Sequence, residues 1–258
     1  MSIEYWMVGC GNMGSALVEG ALKAGAHCVV RSRSRDKIDR LVSLGASETS
    51  KGGPRVVVFA VKPYQLEAVF SEFEFQEGDI VVSVAAGVRL ESLKAWLPKK
   101  WQGLKVVRAM PNTPALVGKG MTGLFSDSVS DEVVAFFEMS GEVVVLSGES
   151  EFDALTALSG SGPAYIFIAM QALADGGVQM GLSRDVATKL AIGTVLGAAE
   201  LASQTGTHFE VLKDRVASPG GTTIAACAEL EKLGFRHALN RAVVVAAEHS
   251  KSMAEKLS

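Results

Sequence analysis

The stretch IEYWMVGCGNMG, residues Ile3–Gly14, decides the fold of this chain. Its first six residues are mostly apolar and predict a short strand, and the glycines lead into an amphipathic, helix-like pattern. Strand, glycine turn and helix in this order are typical of dinucleotide-binding folds. Gly9 permits the tight turn, Gly11 lets the backbone approach a pyrophosphate, and Gly14 allows the helix to pack on the strand. The predicted cofactor-binding residues here are Gly9, Cys10, Gly11, Asn12, Met13 and Gly14.

Strand and helix patterns alternate through the first half of the chain. Further strands are predicted at His27–Val30, Arg55–Val61, Asp79–Val84, Lys105–Ala109 and Glu142–Leu146, separated by helices near Gln65–Phe73, Leu90–Leu97 and Asp131–Phe137. This alternation is typical of a doubly wound, mostly parallel sheet. We therefore predict an α/β fold with two parts: a Rossmann domain over residues 1–152 and an all-helical substrate-binding and dimerisation domain over 153–258.

The peptides that follow the predicted strands are the next candidates for the cofactor site, because ligands of such sheets lie at the carboxyl ends of the strands. Their small residues and prolines give rigid backbone beside which a flat cofactor can lie. Lys62 is the one charged residue among them, and a solvent-facing loop lysine is an equal alternative. The predicted cofactor-binding residues of these peptides are Ala60, Val61, Lys62, Pro63, Ala86, Gly87, Pro111 and Asn112.

The end of the second predicted strand indicates which nicotinamide cofactor is used. NAD-dependent enzymes usually place an acidic residue there, to hold the ribose 2′-hydroxyl. This chain has Arg31, Ser32 and Arg33 instead, which can bind a 2′-phosphate through charge-assisted hydrogen bonds. Asp36 is better explained as a first-turn helix residue. We expect NADPH, with NADH possible; a solvated helix start is the alternative explanation of the basic cluster.

Helical patterns replace strand patterns after about Phe152. Helices are predicted at Asp153–Leu158, Pro163–Met180, Arg184–Ser203, Phe209–Val216, Thr222–Leu233 and Phe235–Leu257. Ser183 and Ser218 are predicted N-caps, and glycines mark several helix ends. A helical segment this apolar needs a partner surface, and a second copy of the chain is the commonest one. The motif SGSGP at Ser159–Pro163 is either a second anion-binding helix start or a hinge between domains.

The stretch VASPGGTTIAA, Val216–Ala226, predicts a site for a small anion. Pro219 suits the first turn of a helix, Ser218 suits its N-cap, and the glycines leave backbone N–H groups open at the positive end of the helix dipole. A carboxylate would bind there. Thr222 and Thr223 add two hydroxyl groups that could hold a second group of the same ligand. An ordinary capped helix start after a loop is the alternative.

Charge, cysteines and histidines exclude several classes of function. The net charge of −3, with no basic run outside Arg31–Arg40, argues against a nucleic-acid-binding protein. The three cysteines have no paired spacing, which indicates reduced thiols and a cytoplasmic protein. The four histidines lack metal-ligand spacing, so we expect no metal. No signal peptide is expected at the N-terminus. Lys189 and Glu200 interrupt the most apolar helix, so no membrane span is expected.

The available side chains favour an imine as the hydride acceptor. The chain has no Gly-x-Ser-x-Gly elbow and no phosphate-binding lysine motif. A nicotinamide cofactor carries its own hydride, so the protein need only position the substrate and stabilise charge. A protonated imine is already electrophilic, and a hydroxyl group can hold its nitrogen without a strong general acid. That would explain a site with two threonines and no obvious catalytic histidine or lysine.

Motifs spread over nearly the whole chain resemble the pyrroline-5-carboxylate reductase family. They are GCGNMG at 9–14, AVKP at 60–63, RAMPNTPAL at 108–116, SGSGPAY at 159–165 and LKDRVASPGGTT at 212–223. The last two are highly specific to that family. The resemblance implies reduction of Δ1-pyrroline-5-carboxylate to L-proline with NAD(P)H, the last step of proline biosynthesis.

The resemblance also implies roles for residues in the second half. Ser218, Gly221, Thr222 and Thr223 correspond to the peptide that binds the substrate, whose carboxylate is held by backbone N–H groups. Thr223 corresponds to the catalytic threonine, whose hydroxyl faces the ring nitrogen. The helical domain of the family forms an intertwined dimer with each active site near the subunit boundary, and the dimers often assemble into decamers.

One segment departs from the family pattern. Where the family has a further helix and turn, this chain has only Gly45–Arg55, which puts the adenosine end of the cofactor site in doubt.

Two other functions are alternatives. A β-hydroxyacid dehydrogenase would carry a lysine in the helix after the SGSGP motif, but that helix begins PAYIF, residues 163–167. A non-catalytic NADP(H) sensor would not need an anion site in the helical domain.

Overall fold

A computed structural model describes residues 3–257 of the chain, so the predicted domain limits at Met1 and Ser258, and Ser2, lie outside the described residues. The sheet has seven strands: β1 (Glu4–Val8), β2 (Cys28–Arg31), β3 (Arg55–Phe59), β4 (Ile80–Ser83), β5 (Lys105–Met110), β6 (Gly120–Phe125) and β7 (Gly141–Val145). Their order is β2-β1-β3-β4-β5-β6-β7, and every neighbouring pair is parallel except β5 with β6. The predicted fold class is confirmed.

Both faces of the central strands β1, β3, β4 and β5 are largely buried, whereas β7 at the edge of the sheet is largely exposed. Five helices connect its strands: α1 (Asn12–Lys23), α2 (Arg35–Ser43), α3 (Leu66–Glu72), α4 (Leu90–Trp96) and α5 (Asp131–Glu138). Alternate residues of β1 join two different apolar clusters, Tyr5 and Met7 on one face, Trp6 and Val8 on the other. Helix α1 contributes Leu17 to the first cluster, whereas α3 contributes to the second. Because each face meets helices, the central strands are mostly apolar, with Glu4, Arg55 and Arg108 as buried charged exceptions.

The order of the strands fixes where a ligand can bind. The chain passes from β1 to β2 on one side and then crosses to β3 on the other side of β1. Such a reversal opens a crevice at the carboxyl ends of the two central strands. Here the glycine turn follows β1, and the peptide Ala60–Pro63 follows β3. The two predicted cofactor peptides are therefore neighbours at the same edge of the sheet.

Strand β6 was not predicted, and its glycines explain why. A Cβ on Gly123 would collide with the side chain of Leu155, and one on Gly120 would lie 2.9 Å from the carbonyl oxygen of Ser140. Close packing therefore requires glycine at these two positions. Glycine has low strand propensity, so the same requirement removes the apolar alternation by which a strand is detected.

The second half is helical, as predicted, but its first helix is interrupted. The helices are α6 (Phe152–Leu155), a π-helical turn (Thr156–Gly160), α7 (Gly162–Gln179), α8 (Arg184–Thr205), α9 (Phe209–Val216), α10 (Thr222–Lys232) and α11 (Phe235–Leu257). Short 3₁₀ turns lie at Pro63–Gln65, Lys99–Trp101, Thr113–Val117 and Glu149–Glu151. Ser183 is the N-cap of α8, and its side chain accepts a hydrogen bond from the N–H of Val186. The predicted N-cap at Ser218 is wrong, because Gly221 occupies that position.

Contacts divide the chain into two units at places other than the predicted boundary of residues 152 and 153. One unit holds residues 1–161 together with 244–258, and the other holds 162–243. The last turns of α11 belong to the first unit, where the Ser250 hydroxyl donates to the Asp153 carboxylate at 2.7 Å. This long-range contact returns the C-terminal helix to the sheet unit.

The second unit has almost no core of its own. Within residues 162–243 only Ala174, Ala187 and Ala191 are buried, whereas Ile168 and Met180 are 71 % and 84 % exposed. By length and composition α8 could cross a membrane, and it is the one helix among the described residues that passes this test. Only 11 % of its apolar window is buried. This unit presents apolar helices that the chain itself does not cover.

Candidate active site

The glycine turn after β1 is built for close approach. Gly9 has a φ of +102°, which residues with a side chain rarely adopt, and a Cβ there would lie 2.8 Å from the carbonyl oxygen of Ala60. A Cβ on Gly14 would collide with the carbonyl oxygen of Gly9. Around Gly11, by contrast, no described atom lies within 4 Å of the Cβ position. Space is thus open in front of the N-terminus of α1, where backbone N–H groups attract anions.

A cavity of about 1180 Å³ opens beside this turn, at the carboxyl ends of β1 and β3. It brings together most of the predicted cofactor residues, namely Gly9, Cys10, Gly11, Asn12, Met13, Arg31, Ser32, Arg33, Ala60, Val61, Lys62, Pro63 and Ala86. The remaining predicted cofactor residues, Gly14, Gly87, Pro111 and Asn112, do not line it. Lys62 is exposed at the cavity wall, so it is both a solvent-facing lysine and a neighbour of the cavity.

Arg31 is held in place by the short segment that departs from the family pattern. Its Nη1 donates to the carbonyl oxygens of Glu48 at 2.5 Å and of Val30 at 3.3 Å. The guanidinium also lies 5.2 Å from the ring centroid of Trp6. The neighbouring Ser47 pairs with β2, because its carbonyl accepts from the N–H of Val30 at 2.9 Å. Arg31 thus forms part of the cavity wall with its Nη1 group already bonded.

The next two arginines of the basic run, Arg33 and Arg35, differ in their hydrogen bonding. Arg35 donates to both carboxylate oxygens of Glu48, at 2.8 and 2.9 Å, and pairs with Asp39 at 2.6 Å. Hydrogen bonds from these carboxylates raise the pKa of Arg35 above its ordinary value. Arg33 lines the cavity, is exposed, and has no hydrogen bond or ion pair within residues 3–257. Arg33 is therefore the arginine of this run whose guanidinium is free to meet an anion.

The cavity wall also contains residues that the sequence analysis did not predict: Val8, Ser34, Lys37, Tyr64, Gln65, Ala68, Val69, Glu72, Val84, Ala85 and Thr113. Lys37 lies in the first turn of α2, four residues after Arg33, and adds a further positive charge to this end of the cavity. Ala68 and Glu72 are four residues apart and hence share one face of α3. That spacing was visible in the sequence. Which face of α3 meets the cavity was not.

Asn112 is turned away from the cavity into a network of its own. The side chain is 9 % exposed. Its Nδ2 donates to the backbone carbonyl and the hydroxyl of Ser159, at 3.1 and 3.2 Å, and its Oδ1 accepts from the N–H of Met121 at 2.9 Å. The prediction that Asn112 binds the cofactor stays a prediction, and its side-chain amide is already bonded to protein partners.

The predicted substrate peptide forms a tight turn followed by a helix start. The N–H of Gly221 donates to the carbonyl of Ser218 at 3.0 Å, and Gly220 has a φ of +67°. Proline second and a left-handed glycine third are typical of a type II turn. The helix begins at Thr222, three residues later than Pro219. Because the N–H of Gly221 is used in the turn, the open N–H groups of the helix start are those of Thr222, Thr223 and Ile224.

No strong nucleophile or metal cluster accompanies these sites in the described part of the chain. Burial raises the pKa of the Cys10 thiol, so a neutral thiol lies at the glycine turn. All three cysteines are free. No group of three or more metal-ligating side chains occurs within residues 3–257. The chemistry available is hydrogen bonding and charge, which suits a reaction whose reactive group is brought by a cofactor.

Known proteins are similar to this chain over nearly its full length. A family model described as "Pyrroline-5-carboxylate reductase dimerisation" matches residues 149–253. A pyrroline-5-carboxylate reductase of Arabidopsis thaliana is 39 % identical, over 98 % of this chain and 96 % of its own length. The chain belongs to the pyrroline-5-carboxylate reductase family. The family predicted from the motifs is confirmed.

Solved structures of pyrroline-5-carboxylate reductases agree with this assignment. The one from Coxiella burnetii has a TM-score of 0.86 and 35 % identity, covering 96 % of this chain and 97 % of that one. A Plasmodium falciparum pyrroline carboxylate reductase with NADP bound has a TM-score of 0.82 and 30 % identity, covering 97 % and 99 %. A second family model, "NADP oxidoreductase coenzyme F420-dependent", matches residues 5–87. The predicted class, an NADP-dependent oxidoreductase, is confirmed.

Family membership also explains the uncovered helices. The dimerisation model spans α7 and α8, which carry the exposed apolar side chains of the second unit. The helical domain of this pyrroline-5-carboxylate reductase family member is therefore its oligomerisation domain, as predicted. An apolar helix surface of this kind is what an obligate interface between copies buries.

Proposed function

We propose that this chain reduces Δ1-pyrroline-5-carboxylate to L-proline, with NADPH as the hydride donor, in the last step of proline biosynthesis. The observation that carries the proposal is the turn Ser218–Gly221, which leaves the N–H groups of Thr222 and Thr223 open at the start of α10. A carboxylate bound there would lie beside two hydroxyl groups. An imine acid offers both a carboxylate and a nitrogen within one small ring.

The division of work follows from these groups. The open N–H groups and the dipole of the eleven-residue helix α10 hold the carboxylate. The hydroxyl of Thr223 accepts a hydrogen bond from the protonated ring nitrogen, which keeps its proton as hydride addition at the neighbouring carbon turns the C=N bond into a C–N bond. The bound coenzyme supplies the hydride that adds to the imine carbon, and is itself oxidised. Holding the two reactants in fixed orientation supplies much of the rate.

Coenzyme selection is assigned to the basic end of the cavity. Arg33, with Lys37 beside it, provides positive charge that no protein carboxylate neutralises within residues 3–257. A 2′-phosphate would bind there, and NADH, which lacks it, would bind more weakly. NADH remains a usable donor, because the glycine turn serves either coenzyme equally.

Assembly and location complete the proposal. The apolar helices pair between two copies, and dimers of this kind associate further into decamers. The same pairing, rather than lipid, covers α8, so the protein acts in the cytoplasm without a membrane or nucleic-acid partner. Residues 153–258 then work as one substrate-binding and dimerisation region. Light scattering across a dilution series separates dimer from decamer.

Thr223→Ala tests the assigned catalytic role, with Thr222→Ala as the matched control. We expect Thr223→Ala to lower kcat/KM for the imine about 10²-fold, about 2.7 kcal/mol of transition-state binding, while the Kd for NADPH is unchanged. Thr222→Ala removes a neighbouring hydroxyl at the same helix start, so it should cost less than about tenfold. Steady-state kinetics with both coenzymes measures these effects. An unchanged rate in Thr223→Ala removes that residue from the mechanism.

A further inference from the structure

The side chain of Asn112 connects two motifs that are far apart in the sequence. It lies in the loop after β5 and bonds the π-helical turn through Ser159, 47 residues later. Its Oδ1 is fixed as the acceptor, because the partner at Met121 is a backbone N–H. Both hydrogen bonds of Nδ2 therefore point to Ser159. An amide that is nine-tenths buried with every contact satisfied holds its surroundings rigidly.

The carbonyl of Ser159 needs such a donor because a proline lies four residues later. In an α-helix this carbonyl would accept the N–H four residues later, but that residue is Pro163, which has no N–H. The chain nearby is π-helical, with the N–H of Ser161 donating to the carbonyl of Thr156 at 2.8 Å. Because α-helical geometry resumes at Gly162, the missing N–H of Pro163 leaves the Ser159 carbonyl without its α-helical donor, and Asn112 supplies one from outside the helix.

The same loop reaches the coenzyme cavity. Thr113, the next residue, lines the cavity. The loop also touches the π-helical turn a second time, since the Met110 methyl lies 2.8 Å from where a Cβ of Gly160 would be. Arg33 follows β2 and Thr113 follows β5, on opposite sides of the glycine turn in the strand order. A coenzyme with its 2′-phosphate at Arg33 therefore extends its reactive end toward Thr113.

We propose that Asn112 is a positioning residue for hydride transfer, which fixes the loop carrying Thr113 against the π-helical turn. This inference rests on the proposed function. Binding of the coenzyme depends mainly on its phosphates, at the glycine turn and at Arg33, whereas the rate depends on where the reactive end lies. Loss of Asn112 should therefore lower kcat far more than it raises the Kd for NADPH, because a shift of about 1 Å can cost about 10²-fold in rate.

The test compares Asn112→Ala, Asn112→Asp and the double variant Asn112→Ala with Pro163→Ala. Both single variants at Asn112 lose the donors to Ser159, but aspartate keeps the acceptor for Met121. We expect each to lower kcat at least tenfold with less than a threefold change in the Kd for NADPH. Pro163→Ala alone stays within twofold of wild type, and in the double variant its new N–H restores kcat to within about threefold of wild type. Ser159→Ala, which keeps the carbonyl, is the matched control with a small effect.

Three measurements make the outcome decisive. Steady-state kinetics gives kcat, fluorescence titration gives the Kd for NADPH, and hydrogen exchange reports amide protection over residues 159–165, which should fall in Asn112→Ala and recover in the double variant. An unchanged kcat in Asn112→Ala, a loss that aspartate prevents, or a loss that Pro163→Ala fails to reverse overturns the inference. Failure of the proposed function is distinguishable, because it shows as a wild-type chain that binds NADPH but does not reduce the imine.

Discussion

Arg33→Ala should convert this reductase from one that prefers NADPH to one that accepts both coenzymes nearly equally. Arg33 lines the cavity and, within residues 3–257, makes no hydrogen bond or ion pair with the protein, so its donors are free for a 2′-phosphate. NADH has no such group. The substitution should therefore weaken NADPH and leave NADH unchanged.

The size of the effect follows from the kind of bond that is lost. A hydrogen bond to a charged group contributes about 1.5–3 kcal/mol, and about 1.4 kcal/mol corresponds to tenfold in affinity. Arg33 is exposed, so water and salt screen the interaction and the lower half of that range applies. We expect the Kd for NADPH to rise about 10- to 40-fold. Fluorescence titration at two salt concentrations measures it, and the loss should be smaller at the higher salt concentration.

Arg35→Ala is the matched control, because it removes the same side chain two residues further along. Arg35 is bonded to Glu48 and Asp39 and does not line the cavity. We expect less than a threefold change in the Kd for NADPH. The reasoning fails if Arg35→Ala weakens NADPH as much as Arg33→Ala does, or if Arg33→Ala weakens both coenzymes by the same factor.

Two further predictions concern the glycine turn and the start of β1. Gly11→Ala should melt at the wild-type temperature, because the φ of −69° suits alanine and the space around its Cβ position is open. The added methyl group should nevertheless weaken NADPH binding at least about tenfold, because it occupies the space in front of α1. Gly14→Ala should instead lose about 1–3 kcal/mol of stability, because its Cβ would collide with the carbonyl oxygen of Gly9. A normal Kd in Gly11→Ala would contradict this. Burial alone would raise the pKa of Glu4, but hydrogen bonds from Ser50, Lys51 and Trp6 outweigh it and hold that pKa below its ordinary value. The stabilisation by ionised Glu4 is complete above the unfolded pKa, about 4.5, and is lost as pH falls through the lower folded pKa. The destabilisation by Glu4→Gln in urea titrations should therefore stay constant from pH 7 to about pH 5 and shrink as pH falls below about 4.5. A difference that does not change below that pH would contradict this.

Local signals in the sequence predicted six of the seven strands and most helices, because strands that are buried on both faces are mostly apolar runs. Strand β6 escaped because Gly120 and Gly123 serve packing against Ala115, Ser140 and Leu155, partners that no local pattern identifies. The start of α10 was misplaced for a related reason. Proline suits both the first turn of a helix and the second position of a type II turn, and only the hydrogen bond of Gly221 decides between them.

The cavity could be predicted where it follows the backbone and not where it depends on side-chain direction. Glycines and strand ends located the crevice, because those features are properties of the chain path. Arg31, Arg33 and Arg35 are alike in the sequence, and they differ in the structure because Glu48 lies beside two of them and not the third. The three hydrogen bonds that the Asn112 side chain makes with Ser159 and Met121 could not be predicted, because these partners are distant in the sequence or carry no recognisable pattern.

The buried cluster of residues 162–243 consists of only three alanines, and this has a consequence for how the protein folds and assembles. The sheet unit of a single chain can fold by itself, because it has its own hydrophobic core. The helical unit gains a hydrophobic core only when it associates with a second copy of the chain. Maturation is then second order in chain concentration, and heat resistance should rise as the sample becomes more concentrated. At low expression levels, unpaired chains would have a folded sheet unit and an exposed helical unit. Proteases would cleave such chains, even though each could already bind its coenzyme.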